Sequence, residues 1–440
     1  MKMQWLSRLR WQLRCGQTGD RQWLKKCVWV AIAGLPLYCA TACQVIEPSP
    51  SLRIGSLLPI TGDLAQYGSS MQDSAALLVS TVNACGGVLG RPVDLVAEDD
   101  QTEPPAGAAA MTKLAEVNRV AGVVGAASSA VSSAAVDLAV RNQVMLISPS
   151  STSPVFTERA KRGDFQGFWA RTAPPDTYQG DALAKLAQTQ GFQTVAILAI
   201  NNDYGNGLIG SFIPAFEALG GRVTNKEKPT RYLPDASTFD SEVQAAFQDK
   251  PDAVLLIAYP ETGSLVLKTA YQQGFLNPQT KVMVTDGMKE ARIADLVGKN
   301  TAGKYIAAGI VGTAPSAGGP ALQEFQQRFT AHYQRPPKVY DPNTWDAAAL
   351  LVLAAEAAKT VTGPAIQKHL RQVANPPGRS VTDVCQALAL VRSGQDINYQ
   401  GASSNVDLNE WGDVAGSYDV WTIEPSGNLK VIGEIAVGGK

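Results

Sequence analysis

The sequence predicts an α/β protein of two similar lobes, each a doubly wound parallel sheet, joined by a hinge of several chain crossings. Three observations predict it. Short apolar runs rich in valine alternate with helical stripes from Leu52 onward, the pattern of parallel strands covered on both faces. That rhythm breaks at Pro174-Pro175, restarts, and breaks again near Gly312–Pro320. Several of the strand-like runs end in loops of small hydroxyl residues, at the carboxyl edge where open α/β sheets bind ligands.

The 440 residues are 45% hydrophobic and 18% charged with a formal net charge of −1, enough chain for two substantial cores. Near-neutrality gives no reason to expect nucleic acid or an acidic membrane surface as a partner. The two histidines, His332 and His369, fall on expected surface helices and leave little room for a histidine-based metal or acid–base centre. No metal and no cofactor is expected.

The chain begins with Lys2, Arg8, Arg10, Arg14, Arg21, Lys25 and Lys26, followed by the apolar run Val28–Ala42. Basic, then apolar, then small residues is the order of a secretory signal, so residues 1–42 are expected to be removed on export. The run is short for a membrane span and Pro36 interrupts it. Ala40-Thr41-Ala42-Cys43 resembles a bacterial lipobox with Cys43 as the lipidated residue, although Ala40 stands where leucine is usual. Ala-Thr-Ala also reads as a plain cleavage site, which leaves a soluble periplasmic product beside a lipid-anchored one. Cys15, Cys27 and Cys39 leave with the signal; if Cys43 carries lipid, Cys85 and Cys385 remain as a pair. In an oxidising compartment they suit a disulfide, the alternative being two buried free thiols.

After a Pro/Ser tether over 43–52, Leu52–Pro59 is the first strand. Ser69–Asn83 follows as a helix with Met71, Ala75, Leu78, Val79 and Val82 on one face, ended by Gly86-Gly87. Val93–Glu98 is a strand, and Asp99–Pro104 leads into a helix. Val120–Gly125, Ser128–Asn142 and Val144–Ser148 read as strand, helix, strand, and two hydroxyl clusters follow the strands: Ser128-Ser129 and Ser148–Pro154. Such clusters make turns and caps, and Ser128 or Ser129 would cap the helix; side by side they also offer donors to an anion. After Phe168–Thr172 the second lobe reads as helix Thr177–Gln190, strand Thr194–Ile200, helix Tyr204–Leu219, strand Ala253–Ala258, helix Gly263–Gln273 and strand Lys281–Thr285. Helices Ala321–Tyr333, Thr344–Lys359, Ala365–Ala374 and Asp383–Ser393 come next, and the tail Asn405–Val437 reads as antiparallel ribbon. The breaks place lobe one at 53–174 plus 315–400 and lobe two at 175–314 plus 401–440.

Several segments together carry a resemblance: Gly62–Gly68, Asn83–Gly90, Asp99-Asp100, Gly125–Ser129, Ser148–Pro154, Asp203-Tyr204-Gly205 and Thr285-Asp286-Gly287. In this order they resemble the type I periplasmic binding proteins, and among them the branched-chain (Leu/Ile/Val) amino-acid-binding family of ABC importers. The resemblance covers the whole mature chain. It implies a binding protein and not an enzyme, one that closes two lobes on a free amino acid and delivers it to an ABC permease. It further implies that Ser129 and Thr152 bind the ligand carboxylate, that the Ser150 carbonyl accepts from the ammonium, and that Asp286 pairs the ammonium where the family often has glutamate. Tyr67, Tyr204 and Tyr259 match aromatic positions around the ligand side chain. The family's best-known members bridge two loops where Thr102 and Ser128 stand here, so a Cys85–Cys385 bond would be a different staple.

Two other readings compete. A sensor of the same fold could bind an amide, urea or another small metabolite. Gly205-Asn206-Gly207-Leu208-Ile209-Gly210 also fits G-x-G-x-x-G and would suit a secreted dinucleotide-dependent oxidoreductase, but the Asn201–Tyr204 spacer is too long for the tight turn. No G-x-S-x-G elbow accompanies the serine clusters.

Overall fold

The computed structural model describes residues 51–277 and 279–437. The expected signal 1–42, Cys43 and the tether as far as residue 50 lie outside the described residues.

In the first lobe β1 (Arg53–Leu58), β2 (Asp94–Asp99), β3 (Gly122–Gly125), β4 (Met145–Ser148) and β5 (Trp169–Arg171) form a parallel sheet in the order β2-β1-β3-β4-β5. In the second, β6 (Thr194–Ile200) has β7 (Arg222–Val223) and β8 (Thr230–Tyr232) on one side. On its other side lie β9 (Ala253–Ile257), β10 (Lys281–Val284) and β11 (Val311–Pro315). The strand order is thus repeated, and each sheet has a switch point beside its first strand, between β1 and β3 and between β6 and β9. Crevices for ligands open at the carboxyl ends there.

Strands β3 and β4 are wholly buried because helices cover both faces. Pro104–Thr112 and Ser129–Arg141 pack on one side, and Ala65–Ala84 and Asp341–Ala358 on the other. The helix Asp341–Ala358 is buried nearly all round, as its run of alanine and leucine requires. Cys85 ends the helix Ala65–Ala84 and is disulfide-bonded to Cys385 on the helix Val384–Arg392, with Cα atoms 5.8 Å apart and a sequence separation of 300.

The chain crosses between lobes three times: after β5, after β11, and before the antiparallel pair that extends the second sheet. Between the second and third crossings lies the small parallel pair β12 (Arg379–Val381) and β13 (Ile397–Tyr399). The extending pair is β14 (Ser417–Ile423), antiparallel to β11, and β15 (Leu429–Ala436). Three boundaries differ from the sequence reading. Leu52, placed in the tether, is fully buried in the first lobe's core. The third crossing falls after Val414, not at 400, since Ala402, Val406, Leu408 and Val414 belong to that same core. These apolar residues have no period, and they are held by contacts remote in sequence. The Gly312–Pro320 break contains a strand, β11, because Gly312 leaves no room for a side chain: a Cβ there would lie 2.5 Å from the Val284 carbonyl oxygen.

Candidate functional site

The carboxyl ends of both sheets face each other across a small cavity with about 20 Å³ of water-accessible space, and Tyr67, Ser129, Ser150, Tyr204, Tyr259 and Asp286 line it. Thr152 does not. It is fully buried one layer back, with its hydroxyl unpartnered and its carbonyl accepting from Asp176 N–H at 2.8 Å.

The first lobe contributes neutral donors and an apolar end. Ser129 opens the helix Ser129–Arg141, and its hydroxyl accepts from Ser153 N–H at 3.3 Å. Ser128 stands at the N-cap, but its side chain makes no cap bond; it meets the Tyr259 hydroxyl across the cleft at 3.3 Å. The expected serine cap is therefore absent, and that helix start keeps free N–H groups toward the cavity. Ser150 donates its hydroxyl to the Ala127 carbonyl at 3.1 Å. Leu64, Tyr67 and Met71, from the start of the helix after β1, close one end of the cavity with apolar surface.

The second lobe contributes one carboxylate and two stacked rings. Tyr204 and Tyr259 each begin a helix after a strand, and their rings stack at 5.5 Å and 11°. Asp286 follows β10 in a single 3₁₀ turn and is nearly inaccessible to solvent. Tyr204 donates to its Oδ1 at 2.7 Å, and Tyr340 to its Oδ2 at 2.5 Å. Burial pushes the Asp286 carboxyl above the usual aspartate range, and the Tyr340, Tyr204 and Gln179 hydrogen bonds oppose that shift. Burial and then the Asp286 charge hold the Tyr204 and Tyr340 hydroxyls well above the ordinary phenol range, so both remain donors.

Tyr340 has no counterpart in the sequence reading. It precedes the helix Asp341–Ala358 after the second crossing, so no strand announces it. Its ring meets Tyr67 edge-on at 6.3 Å. The only hint in the sequence is a tyrosine directly before Asp341-Pro342, an ordinary helix start.

The lobes are closed on this cavity. Tyr67 donates to the Gly287 carbonyl at 3.2 Å, Ser153 to the Asp203 carbonyl at 2.9 Å, and Gln66 to Glu261 at 3.1 Å. Lys338 pairs with the buried Glu290 at 2.9 Å. Asp63 of the first lobe accepts from Thr262 N–H at 3.1 Å and from its hydroxyl at 2.9 Å, capping the helix Pro260–Gln272 that has no side-chain cap of its own. Burial raises the Asp63 carboxyl to about 6. The glycines of the G-x-G-x-x-G match lie inside the helix Asp203–Ala218, not in a loop before it. A Cβ on Gly207 would sit 2.7 Å from Pro154 Cδ and from Ser153 Oγ of the other lobe, so close packing of the lobes accounts for that glycine.

A desolvated cavity with hydroxyls and a helix start on one wall and a carboxylate on the other suits a small molecule with separated negative and positive groups. Known proteins agree with the fold. A chemotactic signal transduction system substrate-binding protein, BasB, of Halobacterium salinarum is 29% identical over 365 residues, covering 81% of this chain and 83% of that one. A leucine-, isoleucine-, valine-, threonine- and alanine-binding protein of Pseudomonas aeruginosa is 26% identical over 350 residues, covering 78% and 86%. The crystal structure of a leucine-binding protein, LivK, from Thermotoga maritima superposes with a TM-score of 0.72 at 24% identity, covering 88% of this chain and 99% of that one. Residues 71–426, most of the chain, match the receptor family ligand binding region, and the chain belongs to that family, in the type I periplasmic binding-protein fold.

Proposed function

We propose that this protein is the extracytoplasmic solute-binding component of an ABC importer, and that it closes on a neutral or branched-chain amino acid as the zwitterion. The observation that carries the reading is Asp286, buried on one wall opposite the free helix start and hydroxyls of Ser129 and Ser150 on the other. A zwitterion matches both walls; a simple acid would meet an uncompensated carboxylate. Ser129 and its helix start bind the carboxylate, the Ser150 carbonyl and Asp286 take the ammonium, and Tyr67, Tyr204 and Tyr259 surround the side chain, with Thr152 set back from the ligand. The role is binding and delivery to a membrane permease, without catalysis, and the motion is hinge opening at the three crossings. The reading includes export past a signal ending at residue 42, with Cys43 as the lipid anchor; fatty-acid labelling that is lost in Cys43→Ser tests that part.

A thermal-shift screen against the common amino acids tests the ligand class. A ligand at 100 times its dissociation constant stabilises by about 2.7 kcal/mol, a readily measured shift. No response to any neutral amino acid would overturn the reading. The name of the Halobacterium relative favours one second reading, a chemoreceptor's binding partner. Deleting the gene distinguishes the two: loss of amino-acid uptake supports the importer, and loss of chemotaxis with uptake intact supports the sensor.

A further inference from the structure

Behind the cavity lies a second carboxylate that the ligand reading does not use. Asp176 opens the helix Asp176–Thr189 at the first crossing and is fully buried, and neither of its carboxylate oxygens has a hydrogen-bond partner. Its backbone is tied to Thr152 on one side. One turn along the same helix, Gln179 reaches toward Asp286 and donates to the Thr313 carbonyl at 3.1 Å. Thr152 Oγ1 and Gln179 Oε1 are likewise buried without partners.

Among the described residues no cation pairs with this charge, although the Arg171 guanidinium favours the ionised form of Asp176. The nearby guanidinium, Arg171, is held by Asp413 at 2.7 Å, by the Ser151 and Ser153 carbonyls at 3.0 and 2.9 Å, and by Thr157 at 2.7 Å. Lys338 and Lys289 are held by Glu290 and Asp419. The other titratable groups facing the pair are the hydroxyls of Tyr67, Tyr204, Tyr259, Tyr340 and Tyr418, all kept neutral by burial. Two ionised carboxylates buried within reach of each other's charge are strongly disfavoured.

We propose that the Asp176–Asp286 pair keeps one proton in the ligand-free protein and releases it to solvent when an ammonium group enters the cavity. Asp176 is then a positioning residue that sets the charge class of ligand through Asp286, and this deepens the zwitterion reading on which it rests. The directions agree: burial and then the Asp286 charge hold the Asp176 carboxyl well above its ordinary range, against the weaker opposing effects of the Thr152 hydroxyl, which lies near it without a well-formed hydrogen bond, and of Arg171, and Asp286 is itself raised. An incoming ammonium favours the ionised pair, so the complex binds fewer protons than the free protein. Amino-acid affinity therefore rises with pH above the ordinary aspartate value of 3.8, by up to about tenfold per unit, and levels off once the free pair is ionised. A keto acid, which brings only a carboxylate, needs the proton retained and follows the opposite sign.

The test is calorimetry of L-leucine and of its keto acid, 4-methyl-2-oxopentanoate, in buffers of one pH and different ionisation enthalpies. Leucine is expected to release up to about one proton. Any binding of the keto acid is expected to weaken as pH rises. Asp176→Asn should remove the proton release while leaving a folded protein. Leucine binding without proton exchange, or exchange unchanged in the variant, overturns the proposal. If the variant does not fold, the infrared difference spectrum of wild type with and without leucine decides: loss of a protonated carboxyl band supports it, and no change overturns it. If neither leucine nor any other neutral amino acid binds, the zwitterion reading has failed, and the infrared spectrum of the ligand-free protein still decides this one by showing a protonated carboxyl that Asp176→Asn lacks, or none.

Discussion

Asp346 and Asp176 are both fully buried aspartates near the starts of helices, in the second turn of Asp341–Ala358 and the first of Asp176–Thr189, and their surroundings are opposite. Asp346 is surrounded by donors: Ala402 N–H at 2.8 Å and Tyr399 hydroxyl at 3.3 Å on one oxygen, Ser403 N–H at 2.7 Å and its hydroxyl at 2.6 Å on the other. Those bonds fasten the irregular segment after β13 to the first lobe and so decide where the third crossing falls. Asp176 has none. The difference shows that burial alone does not mark a functional carboxylate. A buried acid whose acceptors are filled by its own chain holds the fold, and one left short of partners is open to a charge from outside.

The largest effect should follow from removing the satisfied member. Asp346→Ala strands the Ala402 and Ser403 donors and is expected to destabilise by roughly 3–6 kcal/mol in urea unfolding, at about 1–3 kcal/mol for each buried group left unpaired. A loss below about 1 kcal/mol would break the comparison. The same residue carries a pH signature. Burial raises its carboxyl from 3.8 to about 6, so the folded state binds that proton more tightly than the unfolded chain. Its contribution is therefore full below 3.8 and is lost as the pH rises through about 6. Wild type should show this fall and Asp346→Ala should lack it.

The disulfide anchors the same lobe by a different means. Closing a loop across 300 residues restricts the unfolded chain, and Cys85→Ser with Cys385→Ser should cost roughly 2–5 kcal/mol. Leucine affinity measured on the folded fraction should not change, because neither cysteine lines the cavity.

On the cleft side, Asp286→Asn should weaken leucine by about 2–5 kcal/mol, the cost of removing one member of a desolvated charge pair. Binding of the keto acid should tighten or first become measurable. Equal leucine affinity in the variant would remove Asp286 from the site and leave it as the start of a 3₁₀ turn. The smallest effect belongs to Tyr340→Phe, which deletes one of two hydroxyl donors to that carboxylate and should weaken leucine by about 0.5–1.5 kcal/mol in calorimetry. A larger loss would mean that Tyr340 touches the ligand directly.

Much of the molecule was legible from residues alone. Strand and helix alternation reports local burial, and β6 was read to its ends because Thr194–Ile200 is continuous apolar sequence bounded by turn residues. The hydroxyl loops and Asp286 could be placed because a residue just beyond a buried strand in a parallel sheet has only one edge to occupy. Where the local signal was weak, the reading failed: β11 was hidden by the small residues its close packing demands, and the serine at the N-cap of Ser129–Arg141 bonds across the cleft instead of along its helix. The sequence by itself determined the fold class, the repeated βα rhythm, the two punctuating breaks and the loops that face one another, since each follows from the spacing of apolar and turn residues within a short window. Only the tertiary structure decided that Tyr340 joins Asp286, that Asp63 caps a helix of the other lobe, and that Asp346 is satisfied while Asp176 is not. Those outcomes depend on which distant backbone and side-chain groups arrive within hydrogen-bond reach, and no local pattern of residues encodes that.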